Sequence, residues 1–335
     1  MTSIGRISLH PLTRRAWSRT MAFMLASAFA ALPALSGAQS AYPNKPIRVI
    51  VPFPAGTSPD VIARAWSDKL RIAIGQPVII DNRPGAATII GAQAVAAAPA
   101  DGYTLMYTAQ NTVAINPSVY KKLPYKVDDF VPVSHITTVP LVLIVAANSP
   151  IQSFADLIQT ARASPGKLNF ASYGIGQGTH VAMVRMLNAA NVTMTHIPYQ
   201  NGGIADVMSG AVDVSFDAST SAIPQIKGGK LRALAVSSPR RIDALPDVPA
   251  VAEVLTDFNG DSWHGVLVRT GTPPDIIARL AAESQKIIDS EDFRKKLRDY
   301  GLAPAGGTPT EFGKFISDDS RAWAKVVKDN DIKVE

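Results

Sequence analysis

The chain has no cysteine among its 335 residues. That absence excludes disulfides, a thiolate nucleophile, cysteine-ligated zinc, iron–sulfur clusters and a lipoprotein anchor, which needs a cysteine at its cleavage site. Charged residues make up only 18% and aromatic residues 7%, too little charge for a disordered chain. The formal charge of +6 is unevenly placed: residues 1–40 hold Arg6, Arg14, Arg15 and Arg19 and no Asp or Glu. Taking those four from the 33 basic residues leaves 29 against 27 acidic ones, a net of +2. A near-neutral body offers no electrostatic footprint for nucleic acid. Beyond residue 40 no apolar run approaches the roughly 20 residues that span a bilayer. What the chain does have is 47% hydrophobic residues, enough for a core. Its length exceeds the roughly 250–300 residues at which single cores stop growing, so two domains are expected.

Residues 1–40 read as an export signal. Arg14, Arg15 and Arg19 form a basic region, 20–35 (TMAFMLASAFAALPAL) an apolar one, and the small residues around Ala38 and Ser40 two cleavage sites. The apolar run is too short to anchor the chain. The expectation is a cleaved signal peptide and a soluble protein exported to the periplasm.

The rest alternates between strands and helices. Residues 47–53 (IRVIVPF) form an apolar run suited to a strand buried on both faces. A turn at 54–59 leads to a helix with Ile62, Ala65, Trp66 and Leu70 on one stripe. Strands at 78–80 and 103–108 flank a small-residue helix over 88–98. This βαβαβ order predicts a parallel sheet covered on both faces. The pattern recurs from an apolar strand at 139–147, with further strands at 168–172, 193–197, 212–216 and 231–236. Capping signals at Ser153 and Thr308 open helices. The segment 262–268 carries the chain back to the first lobe, and the tail is helical. The expected class is α/β, with two doubly wound lobes and a ligand cleft between them.

Reactive constellations are sparse. Beyond the leader the histidines are His135, His180, His196 and His264, none at metal-ligand spacing to another ligand-type residue. No G-x-S-x-G elbow marks a nucleophile. Gly174-Ile175-Gly176-Gln177-Gly178 misses the dinucleotide fingerprint because residue 179 is Thr, and no P-loop exists. No catalytic residue, metal or cofactor is therefore expected. What remains is two strand–turn–helix junctions, at 55–58 and 172–180, each able to turn free N–H groups and a positive dipole end toward an anion. Equally, both could be ordinary capped βα turns.

An ordered series of short segments resembles the substrate-binding proteins of tripartite tricarboxylate transporters, the Bug or TctC-like receptors. They are 42–48 (YPNKPIR), 51–56 (VPFPAG), 81–86 (DNRPGA), 99–105 (PADGYTL), 165–168 (PGKL), the loop 172–180, 197–199 (IPY), 229–236 (GKLRALAV), 245–249 (LPDVP) and 271–273 (GTP). The resemblance implies a type II periplasmic-binding-protein fold, with lobe 1 over 41–138 plus 267–335 and lobe 2 over 139–266. It implies a monomeric receptor, not an enzyme, that captures a small mono- or dicarboxylate and delivers it to the membrane permease subunits of such a transporter. The alternative is a periplasmic ligand-sensing receptor that presents the closed form to a signalling partner.

The resemblance also assigns ligand-binding positions. The first loop supplies Phe53, Ala55, Gly56, Thr57, Ser58 and Asp60. The opposing loop supplies Ser172, Gly176, Gln177, Gly178, Thr179 and His180, with Tyr199 and Asp217 bordering the cleft. Two positions depart from the family pattern: Thr57 stands where a second glycine is usual, and glycine after Pro198-Tyr199 is delayed to Gly202. Asp60 has two readings, as a ligand-loop residue and as a helix-start residue.

Overall fold

The computed structural model describes residues 42–334, together with Thr2 and Gly5. The leader and its cleavage sites lie outside the described residues. Among those described, no helix is long and apolar enough to cross a membrane.

The chain opens with β1 (Ile47–Val51), whose Ile47, Val49, Ile50 and Val51 are at most 1% exposed. α1 (Ser58–Ile74) follows. It buries Ile62, Trp66 and Leu70 completely, each worth about 1.5–3 kcal/mol or more. Gly75 ends it in a left-handed conformation (φ +69°), its N–H bonded to the Arg71 carbonyl. β2 (Val78–Asn82), α2 (Ile89–Ala96) and β3 (Thr104–Ala109) complete the expected βαβαβ unit, with β1 parallel to both β2 and β3.

A π-helical turn over Asn111–Ile115 and the short α3 (Asn116–Val119) then lead to β4 (Phe130–Val139), a strand that periodicity did not signal. The expected single strand at 139–147 is divided at Pro140, and β5 (Leu141–Ala146) enters a second sheet. Pro140 has no N–H to continue a ladder, while its carbonyl accepts from Ser219 N–H at 3.0 Å. The second unit runs α4 (Phe154–Ala163), β6 (Asn169–Ser172), α5 (Gly178–Ala190), β7 (Thr195–Pro198), α6 (Ile204–Ser209), β8 (Val214–Ala218), α7 (Ser219–Lys227) and β9 (Leu231–Val236). The chain returns through β10 (Ser262–Arg269) and ends with α8 (Pro274–Asp289), α9 (Glu291–Asp299), β11 (Ala303–Pro304) and α10 (Pro309–Asp329).

The sheets have strand orders β11-β4-β10-β3-β1-β2 and β7-β6-β8-β5-β9. Both are mixed rather than wholly parallel. β10 runs antiparallel to β3 and β4, and β5 antiparallel to β8 and β9. All of β10 from Ser262 onward lies in the first sheet, so the expected division at 266/267 falls inside a strand. Two crossings therefore join the sheets, one at Pro140 and one just before Ser262. They are tied together: Leu141 N–H donates to Ser237 Oγ at 2.8 Å, and Ser237 Oγ donates to Asp261 Oδ1 at 2.5 Å. α10 packs on β4 and α3 and also on α5, with Asn188 Nδ2 donating to Asn330 Oδ1 at 2.7 Å.

Candidate functional site

A cavity of about 1030 Å3 lies between the two sheets, at the upper end of the range for small-molecule sites. Its first wall is the turn after β1. Phe53, Ala55, Gly56, Thr57 and Ser58 line it. Gly56 takes φ +82°, which a residue with a Cβ adopts only at a cost. Thr57 precedes α1 but does not cap it; its Oγ1 donates back to the Pro54 carbonyl at 2.7 Å. The first-turn N–H groups of α1 are thus left without a side-chain partner, and Ser58 Oγ is buried with none.

The facing wall is built the same way. Gln177, Gly178 and Thr179 line the cavity at the start of α5. Gln177 does not cap α5, and its Oε1 accepts from Asn111 Nδ2 across the cleft at 2.7 Å. Thr179 Oγ1 accepts from Tyr173 N–H at 3.2 Å. Gly178 allows a close approach between sheets, because a Cβ there would come within 2.5 Å of Gln110 Nε2. Gly176, at φ +72°, sits equally tightly against Val119. Two helix N-termini thus converge on one cavity. No Lys, Arg, Asp or Glu lines it.

The remaining six sequence-derived positions lie behind this surface. Asp60 is 2% exposed and braces the first turn. Its Oδ2 accepts from Gly56 N–H at 2.9 Å and Arg64 Nε at 3.0 Å, and its Oδ1 from Asn82 Nδ2 at 2.8 Å. Burial pushes this carboxyl up, but the bonds from Arg64, Gly56 and Asn82 outweigh burial and leave it below the ordinary aspartate value. Asn82 Nδ2 also donates to the Phe53 carbonyl at 3.1 Å, and Arg64 Nη2 to Asn82 Oδ1 at 2.9 Å. This carboxylate is thereby engaged by loop donors rather than turned toward the cavity.

His180 Nδ1 accepts from Gly176 N–H at 3.1 Å and so holds the second turn. Its ring stacks on His196 at 4.0 Å. Burial, with His196 beside it, lowers His180 to about 3. Ser172 Oγ sits 2.6 Å from His196 Nε2 and accepts from Gly174 N–H at 3.0 Å. Tyr199 turns its hydroxyl to Asp206 Oδ2 at 2.5 Å. Asp217 is fully buried, accepting from Ser221 Oγ at 2.6 Å, Ala218 N–H at 2.7 Å and Tyr173 OH at 3.4 Å. Burial pushes it up to about 6 against those bonds.

Sequence reasoning missed a third wall and the floor. Residues 84–88 line the cavity, and Ala86, Ala87 and Thr88 take φ +44°, +52° and +78°. Such residues cost about 1–3 kcal/mol each and persist only where neighbours impose them. Asn116 Nδ2 donates to the Ala87 carbonyl at 2.7 Å, and Thr112 Oγ1 to Thr88 Oγ1 at 2.9 Å. The floor is formed by Val139, Leu141, Ser262 and His264 around the crossings, with Ala109 and Asn111 beside them. Only strand pairing brings these together. The delayed glycine also has a structural reason: a Cβ at Gly202 would come within 2.5 Å of the Tyr173 ring, itself part of the cavity.

Comparison with known proteins agrees with this architecture. Residues 62–332 match the family described as tripartite tricarboxylate transporter family receptor. The chain is 34% identical to protein BugT of Bordetella pertussis over 299 residues, 88% of this chain and 92% of that protein. It superposes on adipate-bound Rpa4515 of R. palustris with a TM-score of 0.83 at 31% identity, covering 88% of this chain and all of that one. Malate-bound MatC of Rhodopseudomonas palustris gives a TM-score of 0.78 at 28% identity, covering 85% and 100%. These are two-lobed substrate-binding receptors rather than enzymes, and the chain belongs to the periplasmic solute-binding receptors of the tripartite tricarboxylate transporter family, the TctC and Bug proteins.

Proposed function

We propose that the protein captures a small organic acid between its lobes and delivers it to the membrane permease of a tripartite tricarboxylate-type transporter. The observation that carries this reading is the convergence of two uncapped helix N-termini on a cavity without a charged side chain. An anion there is held by several N–H groups and two helix dipoles, each dipole worth roughly 0.3–1 kcal/mol and more when partly buried. The adipate and malate of the two relatives are ligands of that chemistry. We assign the contacts to Phe53, Ala55, Gly56, Thr57 and Ser58 on one lobe and Gln177, Gly178 and Thr179 on the other. Asp60, Ser172, Gly176, His180, Tyr199 and Asp217 hold the turns in place. The lobes are the two sheets with their helices, closing about the crossings at Pro140 and Asp261. The protein acts as a monomer outside the cytoplasmic membrane, after loss of the leader.

A thermal-shift panel of mono- and dicarboxylic acids and their amides tests this. An acid at 100 times its dissociation constant adds about 2.7 kcal/mol to stability, and its amide adds much less. Equal stabilisation by acid and amide would refute anion capture. Cell fractionation tests export: the soluble periplasmic form should start near residue 39 or 41, and full-length protein in the membrane fraction would refute cleavage.

A further inference from the structure

We infer that His264 reads the far end of the ligand, donating a hydrogen bond to a second acceptor group and so selecting dicarboxylates over monocarboxylates. This rests on the carboxylate-capture reading. His264 lies on β10, paired with Ala109 of β3, and lines the cavity beside Ser262. It is 2% exposed. Its imidazole makes no hydrogen bond among the described residues, and Nδ1 is sealed and unpartnered. Tyr107 packs against the ring at 5.8 Å with a 61° tilt, fixing its plane.

Burial, and then His135, keep the ring neutral at ordinary pH, so it has one donor and one acceptor nitrogen. A buried N–H without a partner is rarer and costlier than an unfilled lone pair. The sealed Nδ1 is therefore the bare nitrogen, and the proton sits on Nε2, the nitrogen not sealed from the cavity. No other floor residue offers a comparable ring: Val139 and Leu141 are apolar, and Ser262 carries a single hydroxyl. A ligand whose first carboxylate lies at the helix N-termini meets this N–H with its other end. An apolar end leaves the N–H buried and unpaired, which is the basis of strong discrimination.

Calorimetric titration of wild type, His264→Phe and His264→Gln with adipate and hexanoate, and with succinate and butyrate, tests the assignment. Wild type should prefer each diacid at least tenfold. His264→Phe keeps a ring of similar shape and should erase that preference from both sides, weakening diacid binding and strengthening monoacid binding, because no N–H is left unpaired against an apolar end. His264→Gln, which restores a donor, should recover part of it. Adipate, but not hexanoate, should also shift the His264 ring nitrogen resonances of wild-type protein, a readout that holds even if a variant fails to fold. A preference that survives in His264→Phe, or a diacid that leaves those resonances unmoved, overturns the role of His264. Equal affinity of wild type for diacid and monoacid overturns it while leaving carboxylate capture intact. Failure of every acid to bind would instead overturn capture itself, and this assignment with it.

Discussion

Replacing Asp60 by Asn keeps the side chain's size and removes its charge. In the native turn the carboxylate accepts from Gly56 N–H, Arg64 and Asn82. An amide can accept at one oxygen only, and its NH2 would face donors on Gly56 or Arg64. Two charge-assisted bonds are lost, each about 1.5–3 kcal/mol. The Arg64 side chain is 50% exposed and rehydrates when released, so the net loss should be about 2–4 kcal/mol. At about 2–4 °C per kcal/mol for a chain of this size, the melting point should fall by about 4–16 °C. Gly56 would also lose its tether, and carboxylate affinity should drop about tenfold. The sign with pH follows from the lowered carboxyl. Its contribution is complete above the unfolded value of 3.8 and is lost as pH falls through the lower folded value. Thermal melts of both proteins should therefore differ fully at pH 7 and less at pH 3. Equal melting at pH 7, or a difference unchanged at pH 3, would refute the bracing role.

Gly178→Ala should weaken ligand binding by pushing Gln110 and the opposing lobe away, and Gln110→Ala in the same chain should restore it; a double variant no better than the single would place the constraint elsewhere. Ser58→Ala removes a hydroxyl without an internal partner, so carboxylate affinity should fall by about 1–3 kcal/mol with no loss of melting temperature. Thr179→Ala should lower both, since its Oγ1 also holds Tyr173 N–H; an unchanged melting point for Thr179→Ala would contradict that bond. Burial holds His135 and His196 at about 4 and His180 and His264 at about 3, while Asp217, Asp261 and Asp319 are pushed up to about 6. Near pH 5 the unfolded chain binds four imidazole protons that the folded one lacks, and the folded chain keeps three carboxyl protons. The balance of about one proton means stability should fall by about 1.4 kcal/mol per unit on acidification from about pH 5.5 to 4.5. Urea midpoints that rise over that range would be inconsistent with it.

The two wall turns were legible in the sequence because each is local. A strand, a glycine-bearing turn and a helix start lie within a dozen residues, as at 47–58 and 169–178, and helix signals such as Ser153 and Thr308 cap as read, each accepting from the N–H three residues on. The floor was not legible. β4 mixes Pro132, Ser134, His135 and Thr137 into its run, and its pairing with β10 joins residues more than a hundred positions apart. Neither alternation nor propensity reports such a contact. The left-handed run at 86–88 was hidden for a related reason: Ala86 and Ala87 carry no turn chemistry of their own, and the conformation is imposed by Asn116 and Thr112. Asp60 shows the limit at single-residue scale. Its position in the loop was evident, but which way its oxygens face depends on Asn82, which arrives from the next strand.

A binding cavity lined without formal charge behaves differently in salt from one built around arginine or lysine. Mobile ions screen fields over about 8 Å at 0.15 M ionic strength, whereas in the capture we propose the N–H dipoles at Gly178 or Ser58 would act on a ligand a few ångström away, behind the walls of the cleft. Affinity should then stay nearly constant as the medium outside the cytoplasmic membrane is diluted or concentrated. Release is simple for the same reason. In the capture we propose, the attracting groups, backbone N–H together with the Ser58 hydroxyl and the His264 ring, are shared between two lobes, so when the lobes part the attraction divides at once, with no flexible cationic side chain left to follow the departing acid.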